Sequence, residues 1–203
     1  MEVYKDIISD SEYFSNAKPI KNIVEGKEEY DYLVYVNTKK VAVGGGEIDI
    51  GAGDAFGGAG DDEKVDDTVE TMIDHLDQFP DFGSEAIPFE SFKQFKNDHF
   101  KAFLKTLQAV KNTRGDFEEG KEAKSAFQER AANVMAWIKT HWDDLEFYQM
   151  GDSQDTPVTI KKKDGTETEV DAFKPFGIAY WSEGATSPDF VFWKDCFYMT
   201  KYY

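Results

Sequence analysis

Two neighbouring stretches in the middle of the chain repeat their apolar residues at helical spacing. The first covers residues 92–110, shortly after Pro88, and the second covers residues 123–142. This spacing collects apolar side chains into one stripe along an α-helix, and a proline suits a first helical turn. Turn-forming residues around Gly115 separate the two stretches. The sequence therefore predicts an antiparallel helical hairpin over about residues 88–142, with its aromatic residues in the core.

The residues before the helices favour β-structure. Residues 3–8 are β-rich and predict one strand, followed by a turn at residues 9–12 that suits the cap of a short helical segment. Residues 30–43 alternate apolar and polar side chains on both sides of a polar turn at residues 37–40. This pattern is typical of a β-hairpin.

β-Structure returns after the helices. Asp164-Gly165 is a strong signal for a two-residue turn, inside a lysine-rich hairpin at about residues 153–175. Two aromatic and β-branched runs, residues 176–181 and 190–199, flank a turn-rich segment and predict another hairpin. Strands at both ends of a chain with helices between them indicate the α+β class.

Glycine and acidic residues dominate the segment between the first strands and the helices. Between Glu47 and Asp81 there are twelve acidic residues against one basic residue, Lys64, so most of the net charge of −17 lies here. Glycine-rich backbone loses much entropy on ordering, and like charges repel one another. We expect a long flexible loop over about residues 44–67 and a strand within residues 69–76.

Charge and cysteine content argue against several classes of function. With 23 Lys and Arg against 40 Asp and Glu, the chain has no overall attraction to nucleic acid or anionic lipid. Its single cysteine, Cys196, cannot close an internal disulfide or supply the thiolate pairs of a zinc site. The first residues lack a signal-peptide pattern, and no apolar run reaches the length of a membrane span. We expect a cytoplasmic protein with no nucleic acid, membrane or zinc among its partners.

Carboxylates in the glycine-rich segment are candidates for a calcium site, because calcium accepts oxygen ligands in flexible geometry. The candidates are Asp61, Asp62, Glu63, Asp66 and Asp67. Their spacing is not that of an EF-hand, so we expect a weak site, with a Kd of about 10⁻⁴ to 10⁻³ M. A solvated acidic loop without a bound ion is the alternative.

The residues offer no catalytic constellation. Cys196 lies beside Asp195, whose charge raises a thiol pKa, so a structural thiol is expected; oxidation would at most join two chains through it. His99 and His141 lie beside apolar helix positions and are expected at the surface or its boundary rather than in a metal site. We therefore do not expect an enzyme.

Basic residues concentrate on the predicted helical hairpin, where we expect them on solvent-exposed faces. They are Lys93, Lys96, Lys101, Lys105, Lys111, Arg114, Lys121, Lys124, Arg130 and Lys139. The hairpin is therefore the basic part of an acidic molecule and suits an acidic partner surface. For any single lysine, a merely solvated helix face is the alternative.

Motifs at both ends of the chain are similar to those of a known family. Residues 3–15, VYKDIISDSEYFS, resemble the opening of the translationally controlled tumour protein family, in which a similar strand leads to a glutamate. Residues 180–190, YWSEGATSPDF, resemble its closing hairpin. Residues 50–57 and 148–152 lie where the family has related segments, so the resemblance covers nearly the whole chain. The lysine-rich hairpin at residues 153–175 is an addition to the family pattern.

The resemblance implies a single domain over residues 1–203 with a β-tent fold. That fold combines twisted antiparallel or mixed sheets with a protruding antiparallel helical hairpin and the long acidic loop. A related small Rab-binding protein is held together by zinc, whereas here packed aromatic rings must supply the core. The resemblance also implies a monomeric, cytoplasmic interaction protein with calcium-binding, cytoskeletal, growth-regulating and anti-apoptotic roles.

Two function hypotheses follow from the resemblance. The first is a non-enzymatic, calcium-binding protein that associates with tubulin and microtubules. Its expected contacts are Lys93, Lys96, Lys101 and Lys105. The alternative is a regulator or nucleotide-free chaperone of a Rheb- or Rab-type small GTPase, acting through Glu12 and the adjacent sheet groove, although Glu12 alone is equally typical of a turn or helix cap. A third interpretation, an enzyme on the related methionine sulfoxide reductase fold, requires a nucleophilic cysteine of low pKa.

Overall fold

The computed structural model describes residues 1–8, 10–17, 20–21, 32–42, 46–47, 71–75, 82–150, 158–162, 164–170 and 176–203. Of the expected flexible loop at residues 44–67, only residues 46–47 fall in these ranges, so that prediction lies almost wholly outside the described residues.

The described residues form fourteen strands in four sheets. The strands are β1 Glu2–Asp6, β2 Glu12–Ser15, β3 Ile20–Lys21, β4 Leu33–Asn37, β5 Lys40–Ala42, β6 Gly46–Glu47, β7 Thr71–Ile73, β8 Phe82–Ile87, β9 Leu145–Met150, β10 Val158–Lys161, β11 Glu167–Val170, β12 Phe176–Tyr180, β13 Asp189–Trp193 and β14 Phe197–Lys201. The largest sheet has the order β3-β4-β13-β12-β9-β8, and a second, β14-β1-β2, pairs the two ends of the chain. Strands β6-β5-β7 and β10-β11 form the other two sheets. All pairings among these strands are antiparallel.

Two helical arms lie between β8 and β9, as the sequence predicts. The first arm consists of α1 (Phe92–Gln94), a π-helical turn (Phe95–Phe100) and α2 (Lys101–Thr113). The second arm is α3 (Lys124–Thr140), and a 3₁₀ turn at Trp142–Asp144 leads from it into β9. The hydroxyl of Ser91 caps α1 by accepting a hydrogen bond of 3.2 Å from the backbone N–H of Gln94. Together with the antiparallel sheets, this helical hairpin gives the α+β, β-tent architecture.

The spacing of the apolar residues explains the π-helical turn. At about 100° per residue, the five-residue step from Phe95 to Phe100 would turn the second ring about 140° away from the first in a regular α-helix. A π-helical turn accommodates one extra residue, and here the backbone N–H of Lys101 bonds to the carbonyl of Lys96, five residues earlier. Both phenylalanines are consequently buried, with exposed fractions of 0% and 2%.

The central strands of the six-stranded sheet are buried on both faces. Successive residues of a strand point to opposite sides, and β4 follows this rule: Leu33 and Tyr35 pack with the helices, whereas Val34 and Val36 pack with rings from β2. Strand β13 repeats the pattern. The helices, the six-stranded sheet and the β14-β1-β2 sheet therefore form three layers. Aromatic rings fill the spaces between them; Phe14, for example, stacks on Phe192 with a centroid distance of 4.6 Å.

Two expectations for the N-terminal part were wrong. The strands predicted within residues 30–43 form, but β4 pairs with β3 and β13, whereas β5 pairs with β6 and β7. Because β4 already has a neighbour on each side, it has no edge for β5. The turn between them is held instead by the β12–β13 connection, since the hydroxyl of Thr38 donates to the carbonyl of Pro188.

The turn predicted at residues 9–12 is followed by a strand rather than by a helical segment. Strand β2 begins at Glu12 and pairs with β1, with an irregularity in the register between Tyr4 and Lys5. Tyr13 and Phe14 decide this outcome, because both rings are buried against the sheet core. Aromatic residues of this kind favour strands.

Both predicted C-terminal hairpins are confirmed. Strands β10 and β11 pair across the Asp164-Gly165 turn, where Gly165 has a positive φ of 85° that suits glycine. Strands β12 and β13 pair directly. The second aromatic run does not continue as one strand, however, because a 3₁₀ turn at Lys194–Cys196 carries the chain out of the six-stranded sheet and into β14.

Candidate functional site

Glu12 lies at the start of β2, which is an edge of the β14-β1-β2 sheet among the described strands. Its side chain is 49% exposed, and its carboxylate lies 3.8 Å from the ammonium group of Lys5, its cross-strand neighbour. Lys5 also bonds to Tyr202, which raises the pKa of the lysine. Glu12 is therefore an exposed strand residue in a weak ion pair, and not a helix cap.

A groove of about 400 Å³ opens where the β1–β2 turn, the helical hairpin and β14 meet. Ile7 and Phe197 give it an apolar side, and Arg114 and Asp116 lie on its rim. Glu12 is not among its lining residues. Glu12 and this groove therefore do not form the combined site that the sequence predicted.

A buried cluster of charges forms the floor of this groove. The carboxylate of Asp195 accepts hydrogen bonds from Lys111 Nζ at 3.0 Å, Arg130 Nε at 2.9 Å and Trp193 Nε1 at 2.6 Å. Glu122 lies 2.8 Å from the same lysine and also pairs with Arg130. Burial alone would raise the pKa of Asp195, but the hydrogen bonds from Arg130 and the charge of Lys111 outweigh it and lower that pKa.

This cluster corrects the prediction that all basic residues of the hairpin face solvent. The side chain of Lys111 is only 7% exposed, and its ammonium group lies 4.7 Å from the ring centroid of Phe127. Arg130 is partly buried against Asp195. These two side chains fasten the helical hairpin to the segment that joins β13 to β14, so they are structural cations.

The four lysines predicted as tubulin contacts are all exposed on the first helical arm. They are Lys93, Lys96, Lys101 and Lys105. Lys93 precedes the π-helical turn and Lys101 follows it, and the extra residue of that turn brings them within about 20° of each other around the helix axis. The turn therefore gathers these charges on the side opposite the buried phenylalanines. The sequence signal for this arrangement was the five-residue gap in the apolar stripe.

A second groove, also of about 400 Å³, runs along α2 and reaches the start of α3. Lys101, Lys105 and Lys124 line it, together with Leu104 and Gln108. Two of the predicted contact lysines thus belong to a concave surface, whereas Lys93 and Lys96 lie outside it. This groove was not predictable from the sequence, because it depends on how the two helical arms meet.

The structure agrees with the expectations for Cys196 and His141 and corrects the expectation for His99. Cys196 is buried, and burial followed by the charges of Asp6 and Asp195 raises the pKa of its thiol well above the usual value. A buried thiol of high pKa suits neither nucleophilic catalysis nor a bond between two chains. His99 is buried, contrary to expectation, and burial lowers its pKa to about 4. His141 lies at the boundary against Trp137, as expected.

All five calcium candidates, Asp61, Asp62, Glu63, Asp66 and Asp67, lie outside the described residues. Within the described ranges, no group of three or more His, Cys, Asp or Glu side chains is arranged to hold a metal ion. None of the helices in that part of the chain has the length and hydropathy that a membrane span requires.

A family model described as translationally controlled tumour protein matches residues 1–198, nearly the entire chain. The chain belongs to this family. Among curated translationally controlled tumour proteins, the homolog from Theileria annulata is 28% identical over 155 residues, which cover 76% of this chain and 82% of the relative.

Two solved structures of translationally controlled tumour proteins share the fold. The tumor-associated protein p23fyp from Schizosaccharomyces pombe matches with a TM-score of 0.59 at 21% identity. The Caenorhabditis elegans protein matches with a TM-score of 0.55 at 17% identity. Both comparisons cover 100% of each chain. At these identities the likeness shows the fold alone, which agrees with the β-tent that the resemblance implied.

Proposed function

We propose that this member of the translationally controlled tumour protein family is a non-enzymatic, cytoplasmic interaction protein that binds tubulin and microtubules. The exposed lysines on the first helical arm supply the contacts. The observation that carries the proposal is the π-helical turn, which sets Lys93, Lys101 and their neighbours on one exposed side of a chain with a net charge of −17. An acidic protein needs such a local basic surface to approach an acidic partner.

Charge reversal of these lysines is expected to reduce co-sedimentation with microtubules. The most informative variants are Lys93→Glu with Lys96→Glu, Lys101→Glu with Lys105→Glu, and all four together. Each pair should weaken binding by about tenfold, because exposed ion pairs contribute about 0.2–1 kcal/mol each and a reversed charge adds repulsion. Wild-type binding should also weaken with added salt, since exposed charges are screened beyond about 8 Å at 0.15 M ionic strength.

The matched control reverses two exposed lysines elsewhere, Lys139→Glu with Lys162→Glu. This pair changes the net charge by the same amount and should leave co-sedimentation within about twofold of wild type. Binding that survives in the fourfold variant, or that falls equally in the control, would rule out the lysine surface as the tubulin contact.

Weak calcium binding through the acidic segment, at Asp61, Asp62, Glu63, Asp66 and Asp67, remains part of the proposal as an expectation from the resemblance and from the clustered carboxylates. It is independent of the lysine surface, because the candidate ligands lie on another segment of the chain.

A second candidate function is regulation of a Rheb- or Rab-type small GTPase through Glu12. The exposed carboxylate on an edge strand favours it, because a partner can reach both the side chain and the strand edge. Glu12→Val should abolish any effect of the protein on nucleotide release from the GTPase. The unfolding free energy of the Glu12→Val variant should differ from that of wild type by less than about 0.5 kcal/mol, since the residue is exposed. Unchanged nucleotide release would leave only the microtubule hypothesis.

A further inference from the structure

We propose that the groove along α2 is a docking site for an acidic peptide segment that carries one apolar side chain between its carboxylates. This inference rests on the proposed function, because two of the four contact lysines line the groove. It goes further by naming the shape and chemistry of the segment that binds. It also adds Lys124, on the other helical arm, as a contact.

The charge of the groove selects an anionic partner. Lys101, Lys105 and Lys124 line it, and among the described residues no carboxylate does. None of these three lysines forms an ion pair with another residue in the described ranges. The groove between the β1–β2 turn, the helical hairpin and β14 differs, because its buried lysine and arginine are neutralised by Asp195 and Glu122. Of these two grooves, the one along α2 therefore offers several ammonium groups that have no counter-charge among the described residues.

The remaining lining residues select a peptide over a small anion. Leu104 and Ala109 are partly buried and give the groove an apolar floor, where an aliphatic side chain can leave water. Gln108 and Asn112 supply amide donors and acceptors that suit peptide groups. A groove of about 400 Å³ is larger than one phosphate needs and accepts several residues of an extended or helical segment.

The placement of Lys124 allows a variant that is safe for folding. Lys124 is the first residue of α3, and no side chain caps that end, since Ala123 occupies the N-cap position. A glutamate at a helix N-terminus is favoured by the helix dipole. Lys124→Glu should therefore fold at least as well as wild type while it reverses one of the three groove charges.

The test measures fluorescence anisotropy of a labelled Glu-Glu-Glu-Leu-Glu-Glu-Glu peptide at about 0.15 M salt, where repulsion by the acidic chain as a whole is screened. Lys101→Glu with Lys105→Glu should weaken binding at least tenfold, and Lys124→Glu alone about threefold to fivefold. Lys93→Glu with Lys96→Glu, which lie outside the groove on the same arm, should weaken binding clearly less than that pair does, and the single control Lys139→Glu should stay within twofold. A peptide with serine in place of leucine should bind about fivefold more weakly, which probes the apolar floor without any mutation.

The outcomes separate this inference from the proposed function. Equal loss in both lysine pairs, no loss in Lys124→Glu, or equal binding of the leucine and serine peptides would overturn the groove. If peptide affinity falls in the groove variants as expected but microtubule co-sedimentation is unchanged in every lysine variant, the groove is supported and tubulin is rejected as its partner. Co-sedimentation that depends on the four lysines without any peptide binding would keep the proposed function and reject the groove.

Discussion

Replacing Asp195 with asparagine is expected to lower the free energy of unfolding by about 3–5 kcal/mol, the usual cost of removing one partner from a buried ion pair. The substitution keeps the size of the side chain but removes one of the two negative charges that balance Lys111 and Arg130, which leaves only Glu122. Lys111 is 7% exposed and cannot turn to solvent without leaving its site. Urea denaturation followed by tryptophan fluorescence reports the change directly, because Trp193 donates to the same carboxylate.

The rim of the same groove supplies the control. Asp116→Asn removes a carboxylate that is 34% exposed and lies 4.0 Å from Arg114, so it should cost less than about 1 kcal/mol. Combining Asp195→Asn with Lys111→Met should recover part of the lost stability, because an unbalanced buried charge is then removed. Equal costs for Asp195→Asn and Asp116→Asn would contradict the buried network.

The sequence held one sign of this network, although its partner could not be found there. Lys111 follows Leu107 by four residues, which places it on the same side of α2 as the buried stripe. A charged residue at such a position requires a buried counter-charge. Asp195 lies 84 residues away, and nothing in local pattern links the two. Expecting every lysine of the hairpin at the surface therefore failed at the position where helical geometry argued otherwise.

The fold divides in a similar way between local and long-range information. Helical spacing, the Asp164-Gly165 turn and the alternating strands were sufficient to predict the helical hairpin and both C-terminal hairpins. The pairing of β4 was not predictable from its own residues. Alternation determines which way side chains point, but it does not specify the neighbouring strand. The resemblance to the family supplied the β-tent architecture that local patterns alone could not.

The candidate site follows the same division. Exposure of Glu12 and of the four lysines predicted as tubulin contacts was predictable from residue type. The groove along α2 was not, because it requires Lys124 of the second arm to approach the first arm after a turn. The π-helical turn occupies an intermediate position: the five-residue step from Phe95 to Phe100 was visible in the sequence, but its consequence for the exposed lysines required the observed backbone.

Lowering the pH from 6.5 to about 4 is expected to reduce the free energy of unfolding by about 3 kcal/mol through His99 alone. Its imidazole is buried among the rings of Phe89, Phe95 and Phe176, with centroid distances of 5.3, 5.9 and 5.2 Å. Burial disfavours the charged form and lowers the pKa of His99 from 6.5 to about 4. The unfolded chain takes up a proton on this residue below about pH 6.5, whereas the folded chain does so only near pH 4.

His99 should therefore not affect the free energy of unfolding above pH 6.5. Between pH 6.5 and about 4 that free energy should fall progressively, and below this range the contribution of His99 should stay constant. His99→Phe isolates the effect, because phenylalanine suits the ring of aromatic neighbours and does not titrate. Urea denaturation of both proteins across this range gives a difference curve from which the carboxylates and the other histidines cancel. The curves should diverge by about 3 kcal/mol as the pH falls. Parallel curves would show that His99 can be protonated without leaving the folded core, and the aromatic enclosure would then not exclude charge.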